Sequence, residues 1–351
     1  MLKKCGYEQY QQSVRLSVSS TKPEFEEASS DDLSSDWDTE EIEESNKTKQ
    51  SAWKKVRHAV RWSPFVQTYK KKKYPWIQLA GHQGNFRPGG QGTVLKRSNG
   101  LEEVNLKEIA NDPLSRFVPK FKGKTIGKDN DESYLHLEDL LASFTLPNVM
   151  DLKMGLRTYL EEELAKAREK PKLRKDMYEK MVLIDPDEPS DEENQLKAVT
   201  KPRYMIWRET ISSTATLGFR IEGIKYADEA TSKDFKTVKS ENQILAAFSK
   251  FTGKRKHIIN SYLDRLKDLK TTLKTSPFFK NHELIGSSLL FVHDSHKANV
   301  WMIDFAKTYK LPENIKITHE SPWQFGNHED GYLIGLNNII MLFEKIESHV
   351  D

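Results

Sequence analysis

Between residues 24 and 46 the chain carries eleven Asp or Glu and no Lys or Arg. This run lies within a Ser- and acid-rich first fifty residues with few large apolar groups. Such a segment buries too little surface to offset the entropy of ordering it, so residues 1–50 are expected to be disordered. Whatever folds must then be built from residue 51 onward. The whole chain has a net charge of +3, which leaves +14 outside the acidic run. A folded body that basic suits an anionic ligand, and nucleic acid or a polyphosphorylated small molecule would both fit.

The 351 residues, 36% of them hydrophobic, suffice for one large domain or two smaller ones. Cys5 is the only cysteine, which excludes an internal disulfide and a Cys-based zinc site and suits a reducing compartment. No apolar run reaches the ~18 residues of a membrane span. The opening "MLKKCGYEQYQQS" lacks the apolar centre of a signal peptide. The expectation is a soluble, cytoplasmic protein with no transmembrane segment.

A basic amphipathic helix is expected over residues 51–63, stopped near Pro64. Short strands and Gly-rich turns follow in "WIQLAGHQGNFRPGGQGTVLKR" (76–97). After Gly155 the pattern turns helical, as in "LRTYLEEELAKAREK" (156–170). Strand patterns return at 287–294 and 299–306, and 331–347 reads as an apolar-faced helix. A small β-rich front before a larger mixed back is the outline of a two-lobed α+β kinase. No internal repeat is present.

Two phosphate-loop signatures fail. "GKT" at 123–125 lacks the opening Gly of a P-loop, because position 118 is Val, and a strict G-x-G-x-x-G is absent. What remains is "GHQGNFRPGGQGTVLKR", a Gly-rich turn leading into a strand that ends near Lys96. Kinases use that order, since flexible glycines let backbone N–H groups approach phosphates that a strand Lys neutralises. Alone, the segment reads more readily as a hairpin with a solvent-facing Lys. "WMIDFAKT" (301–308) delivers Asp304 to a strand end, similar to the kinase D-F-G whose Asp holds Mg²⁺. No H-R-D-x-x-x-x-N catalytic loop precedes it. In its place stands "PNVMDLKMG" (147–155).

The pattern P-x-x-x-D-x-K-x-G, carried by Pro147, Asp151, Lys153 and Gly155, resembles the signature of the inositol polyphosphate kinases. "SSLLFVHD" and Asp304, Lys307 and Thr308 match its downstream companions. "TYLEEELAKAREKPKLRKDMYEKM" and "AVTKPRYMIWRETISSTATLGFRIEGIK" look like the inositol 1,4,5-trisphosphate 3-kinase branch. The likeness runs from about Ser51 to the C-terminus. It implies an N-lobe over about 74–140 and a C-lobe over about 141–351, with a helical inositol-phosphate-binding insertion near 156–225.

The resemblance further implies transfer of a phosphoryl group from ATP, with Mg²⁺, to the 3-hydroxyl of inositol 1,4,5-trisphosphate, and no nucleic-acid partner. Lys153 would touch the hydroxyl or the moving phosphoryl group. Asp151 would contact the nucleotide ribose or accept the hydroxyl proton, and both roles stay open. Lys96 would bind phosphates, oriented by Glu102; Asn85 would approach the nucleotide; Glu138, Asp139 and Leu140 would form the hinge for adenine; Asp304 would hold the metal. The substrate's phosphates would meet Arg174, Lys175 and Lys180, with Met177 and Tyr178 as lining, then Lys201, Arg203, Tyr204 and Arg208, completed by Lys225 and Lys307. Any one of these cations alone reads better as part of a solvated helix face, but the block does not, because the match runs across both segments. One departure is Ala306, where the family usually has Gly. An added methyl there threatens the placement of Asp304 if the backbone must be relaxed, although activity is expected to survive.

In "SAWKKVRHAVRWSPFVQTYKKKK" (51–73), Trp53, Val60 and Val66 fall at relative positions 1, 8 and 14 among basic residues. Bulky anchors on a basic helix suit calmodulin, a membrane surface or packing on the kinase lobe. The family resemblance selects calmodulin, with Pro64 requiring a bend before the last anchor. The competing readings are a broader inositol polyphosphate multikinase, and a non-catalytic calmodulin- or cytoskeleton-binding adaptor. Cytoskeletal association would accompany the cytoplasmic location.

Overall fold

A computed structural model describes residues 24–25 and 86–350, apart from 91, 99, 127–132 and 228–234. Asn85 and the segment carrying Trp53, Val60 and Val66 lie outside the described residues.

The front lobe is an antiparallel sheet of β1 (Phe86–Pro88), β2 (Thr93–Arg97), β3 (Phe121–Ile126) and β4 (Ser133–Glu138), in the order β1-β2-β4-β3. Helix α1 (Leu101–Ile109) lies between β2 and β3 and turns Leu106 and Ile109 into the core. The chain then passes through residues 139–147 into β5 (Asn148–Met154), the third strand of the back-lobe sheet. That sheet has the order β11 (Ala298–Ile303), β10 (Ser288–His293), β5, β8 (Phe219–Lys225), all antiparallel.

Strand β5 is buried along most of its length, and its period of two separates two tasks. Met150, Leu152 and Met154 point into the main apolar core. Val149, Asp151 and Lys153 therefore share the opposite face. The core is continuous between lobes, running from Leu106 and Leu137 through Met150 to Leu266, Leu336 and Phe343.

Two buried polar side chains also join the lobes. Asn105 on α1 donates to the carbonyls of Phe305 and Thr308, both at 2.9 Å. Asp112 accepts from Leu114 N–H, Ser276 Oγ and Phe278 N–H at 2.7–2.9 Å. Unmade, each such bond would leave a buried polar group costing roughly 1–3 kcal/mol, so the lobes are held in one arrangement.

The insertion contains α2 (Glu161–Glu169), β6 (Lys172–Arg174), α3 (Lys175–Ile184), α4 (Asp191–Leu196), β7 (Val199–Thr200) and α5 (Lys201–Ile211). It has its own core around Leu164, Met177, Met181, Tyr204 and Trp207. Three features depart from the sequence expectation. The helix expected from Leu156 begins at Glu161, because residues 155–160 are tied down in non-helical form. Leu156 N–H bonds the Asp330 carbonyl, and Thr158 donates twice to buried Glu209. The insertion is not wholly helical, since β6 and β7 pair, and residues 219–225 belong to the back-lobe sheet. Within the acidic stretch expected to be disordered, Glu24–Phe25 pairs in parallel with Lys172–Leu173.

Behind the sheet lie α6 (Glu241–Thr252), α7 (Lys256–Thr275) and α8 (Tyr332–Glu347). On α7, Ile259, Tyr262, Leu263, Leu266, Leu269 and Leu273 recur at helical spacing and are buried. Each contributes roughly 1.5–3 kcal/mol on burial. A two-stranded ribbon of β9 (His282–Ile285) and β12 (Lys307–Lys310) completes the lobe. No helix of the described residues is long and apolar enough to cross a membrane.

Helix α8 approaches the start of β8 without room for a side chain: a Cβ on Gly335 would lie 2.2 Å from the Gly218 carbonyl oxygen. Gly335→Ala is expected to destabilise the fold by about 1–3 kcal/mol, read as a lower urea midpoint at unchanged slope. An unaltered midpoint would show that α8 docks less tightly than this.

Candidate active site

Where the lobes meet, an ≈ 850 Å³ cleft (open to solvent) is lined by apolar Val94, Leu137, Val149, Leu290 and Ile303, with Lys96, Glu102, Asp151 and Asp304 converging on it. An apolar slot with a few placed charges is the form of a small-ligand site. Lys96 does not face solvent. From β2 its Nζ reaches Glu102 Oε1 on α1 at 2.7 Å and Asp304 Oδ1 at 2.6 Å. Burial would push the pKa of its ammonium down, but the Asp304 and Glu102 carboxylates push it up by more, so the group stays charged. Glu102 also accepts the Phe305 N–H at 3.2 Å, which fixes the loop after Asp304.

Strand β11 ends at Ile303, and Asp304 turns into the left-handed region at φ 65°. The unusual backbone is thus at Asp304 itself. Ala306 is not among the positive-φ residues, so its methyl meets no left-handed penalty, and Asp304 keeps its bond to Lys96. Burial pushes the Asp304 carboxyl up, but Lys96 and Lys153 outweigh it and hold it below the usual range.

Asp151 is fully buried, and neither carboxylate oxygen makes a hydrogen bond of good geometry among the described residues. Burial pushes its carboxyl up to about 7; Lys153 opposes the rise, Asp304 and Glu222 add to it, and the nearby Ser288 hydroxyl opposes it slightly. Lys153, also buried, donates to the Gly286 carbonyl at 3.0 Å. A bulge in the pairing of β5 with β8 falls at Asp151/Leu152 and makes Glu222 the extra residue. Glu222 is buried with Arg220 at 2.7 Å. Burial would raise its carboxyl, but Arg220, Lys153 and Arg208 hold it low. Bulges commonly re-aim a side chain beside a site, and here one brings an anion among Lys153 and the insertion's cations.

At the hinge, Glu138 N–H is used by the Lys120 carbonyl and Asp139 N–H by the Gly92 carbonyl, at 3.0 and 3.1 Å. Glu138 and Asp139 also hold local backbone through their carboxylates.

The structure divides the expected substrate residues. Lys201, at the start of α5, and Lys307, at the start of β12, meet at Glu163 of α2, at 2.9 and 3.1 Å. Arg208 donates to the Lys236 carbonyl and acts electrostatically on Glu222. Lys225 ends β8, half-buried, with its ammonium pushed down by burial. Arg174 is fully buried against Asp176 through two bonds of 2.8 and 2.9 Å, and Lys180 lies 3.7 Å from the same carboxylate. Met177 and Tyr204 pack in the insertion core, and Tyr178 bonds Asn194. Arg203 is bound by Glu188 and Glu193 at 2.8 and 3.0 Å, tying α5 to α4 and to the loop before it. Lys175 is exposed, with its Nζ 5.0 Å above the Phe25 ring. Sequence reasoning missed Glu163 and Glu222. Neither carries a local signal, since Glu163 is one of three consecutive Glu and Glu222 sits in an ordinary strand.

A two-lobed α+β fold with a strand Lys, a helix Glu and a strand-end Asp converging between its lobes defines a kinase-like phosphotransferase. A family model described as "Inositol polyphosphate kinase" matches residues 134–344. The chain belongs to the inositol polyphosphate kinase family. It is 49% identical over 353 residues to the inositol-trisphosphate 3-kinase A of Homo sapiens, covering 97% of this chain and 76% of that one. It is 55% identical over 296 residues to the human inositol-trisphosphate 3-kinase B, with 84% of this chain but 31% of the relative covered. A Caenorhabditis elegans inositol-trisphosphate 3-kinase homolog is 40% identical over 298 residues, at 83% and 59% coverage. The chain thus spans less than two thirds of two of these relatives. Among solved structures, the Saccharomyces cerevisiae inositol phosphate multikinase Ipk2, in complex with ADP and Mn²⁺, aligns at TM-score 0.47 and 19% identity, covering 73% of this chain and 99% of that one.

Proposed function

We propose that the chain transfers the γ-phosphoryl group of ATP to the 3-hydroxyl of inositol 1,4,5-trisphosphate, giving inositol 1,3,4,5-tetrakisphosphate. The observation that carries this reading is the shared face of β5: Asp151 and Lys153 stand between the Lys96–Glu102–Asp304 cluster and the cations of the insertion. Phosphoryl transfer needs in-line positioning and charge neutralisation with little covalent work, and cations on both sides of β5 support the second of these.

On this reading the apolar slot takes adenine, read at the hinge through Leu140. Asn85, outside the described residues, would approach the nucleotide. Lys96, oriented by Glu102, binds the phosphates. Asp304 fits a hard divalent cation such as Mg²⁺, which takes one or two carboxylates plus phosphate oxygens. Among the described residues no group of three or more acidic, His or Cys side chains is placed to hold a metal, and nucleotide phosphates and water would complete the shell at Asp304. Bound there, Mg²⁺ would neutralise charge on the nucleotide. Lys153 holds the attacking hydroxyl against the moving phosphoryl group. Asp151, at about 7, is poised to take the hydroxyl proton near neutral pH, and its unpartnered oxygens have capacity for that bond. Lys201, Arg208, Lys225 and Lys307 meet the substrate's phosphates; Arg174 and Lys180 do so once Asp176 yields. Arg203 and Tyr204 shape the insertion from behind, Met177 and Tyr178 brace α3, and Lys175 stands at its outer edge.

Initial rates with Mg·ATP and a panel of inositol phosphates test this substrate choice. The trisphosphate should dominate. Comparable rates at the 6-hydroxyl would instead make the chain a multikinase.

The basic segment 51–73 supports a second element, regulation by calcium–calmodulin. Trp53→Ala is expected to weaken calmodulin binding about 10-fold or more, as large buried aromatic anchors do, while basal turnover stays unchanged. Titration calorimetry reads this directly, and unaltered affinity would put the calmodulin site elsewhere.

A further inference from the structure

Glu163 is an anion at a place where the proposed reaction calls for cations. Its Oε1 accepts from Lys201 Nζ at 2.9 Å and Lys307 Nζ at 3.1 Å. Its Oε2 accepts the Leu160 N–H at 2.8 Å, which pins the carboxylate at the first turn of α2. The two lysines come from distant parts of the chain, one opening α5 of the insertion and the other three residues beyond Asp304. All three side chains keep 18–23% of their surface open, so the cluster is accessible from solvent rather than sealed in the core. Burial would push the Glu163 carboxyl up, but Lys307, Lys201 and the Leu160 amide bring it down to about 2. It is therefore charged at every working pH.

A fixed carboxylate between two ammonium groups leaves that corner with one net positive charge instead of two. A phosphate arriving at either lysine must share it with Glu163 and bears a like-charge repulsion. That repulsion grows with the charge of the ligand. It is smaller for a trisphosphate than for a tetrakisphosphate, which is the product of the proposed reaction. Carboxylates in a polyanion site are costly for affinity, and specificity often rests on such repulsive elements. Product release limits turnover in many kinases and other enzymes, so a group that loosens the more charged product also serves rate.

We infer that Glu163 is a specificity-determining residue, which sets the upper limit on phosphate number and speeds departure of the more highly phosphorylated product. The inference rests on the proposed inositol-phosphate reaction and goes beyond it by naming what discriminates substrate from product.

The test is titration calorimetry of the full chain with inositol 1,4,5-trisphosphate and inositol 1,3,4,5-tetrakisphosphate, on the wild type, Glu163→Gln and Glu163→Asp. Removing the charge should tighten the trisphosphate about 3-fold and the tetrakisphosphate about 10-fold or more. In the same variant kcat should fall and a product burst should appear in the first turnover. Glu163→Asp keeps the charge and should behave as the wild type in the tris-to-tetrakis ratio. Equal factors for both ligands, or weaker binding of either, would overturn the inference. So would a Glu163→Gln that fails to fold beside a Glu163→Asp whose ratio has shifted, because Glu163 would then be structural. Failure of the wild type to bind the trisphosphate at all would instead remove the proposed substrate. A wild type that binds, beside a Glu163→Gln with unchanged ratio, would sink only the role of Glu163.

Discussion

Lys153→Ala should lower kcat by roughly 10²–10³-fold or more, as does removal of a charge aimed at the transition state. The substrate KM should change less, because the other phosphate contacts come from the insertion. The fold should survive. Lys153 shares the cleft face of β5 with Asp151, while the core face is built by Met150, Leu152 and Met154, which the variant leaves alone. Among the described residues its Nζ donates one hydrogen bond, to the Gly286 carbonyl. Circular dichroism and a melting curve check the fold, and steady-state kinetics check the rate. Near-normal turnover in a folded variant would refute the central role of this lysine.

Asp151→Asn should do two opposite things, abolishing turnover and stabilising the protein. The loss of turnover should be about 10²–10⁴-fold, because a proton acceptor becomes an amide. The gain follows from the carboxyl's shift to about 7 from an ordinary value of 3.8. Between those values the native state binds more protons at this site than the unfolded chain does. Stability therefore declines as pH rises through that window and is flat above about 7. Asn carries no charge to bury, so its advantage over Asp should be small near pH 4–5 and reach about 1–4 kcal/mol at pH 8. Active-site groups often trade stability for function in this way. Urea unfolding of both proteins at pH 5 and pH 8 measures the difference. An equal effect at the two pH values would contradict a neutralised Asp151.

The chemistry of the cleft was legible wherever it was written in short spacing. Asp151 and Lys153 lie two apart on one strand, so period alone puts them on one face, and β5 bears this out. Lys96 and Asp304 were recognisable from the order of their elements, but their bond spans 208 positions and no local pattern announces it. Glu163 illustrates the same limit from the other side. As a residue it is an ordinary Glu in the first turn of a helix, and its meaning comes from lysines 38 and 144 positions away. Arg203 is a cation in a basic block whose ion-pair partners, Glu188 and Glu193, come from its own insertion, and no spacing in the sequence marks them. The start of α2 was misplaced because Leu156, Leu160 and Leu164 have helical spacing, but Leu156 and Thr158 are captured by Asp330 and Glu209, tertiary bonds that override local preference. Ala306 was weighed as a risk from the family pattern alone, whereas the left-handed residue proved to be Asp304.

The most direct measurement is the position of the new phosphate on the product made from Mg·ATP and inositol 1,4,5-trisphosphate, read by two-dimensional proton–phosphorus NMR. Phosphate solely on the 3-oxygen is the predicted result. Phosphate on the 6-oxygen, or no product from folded protein, would contradict it.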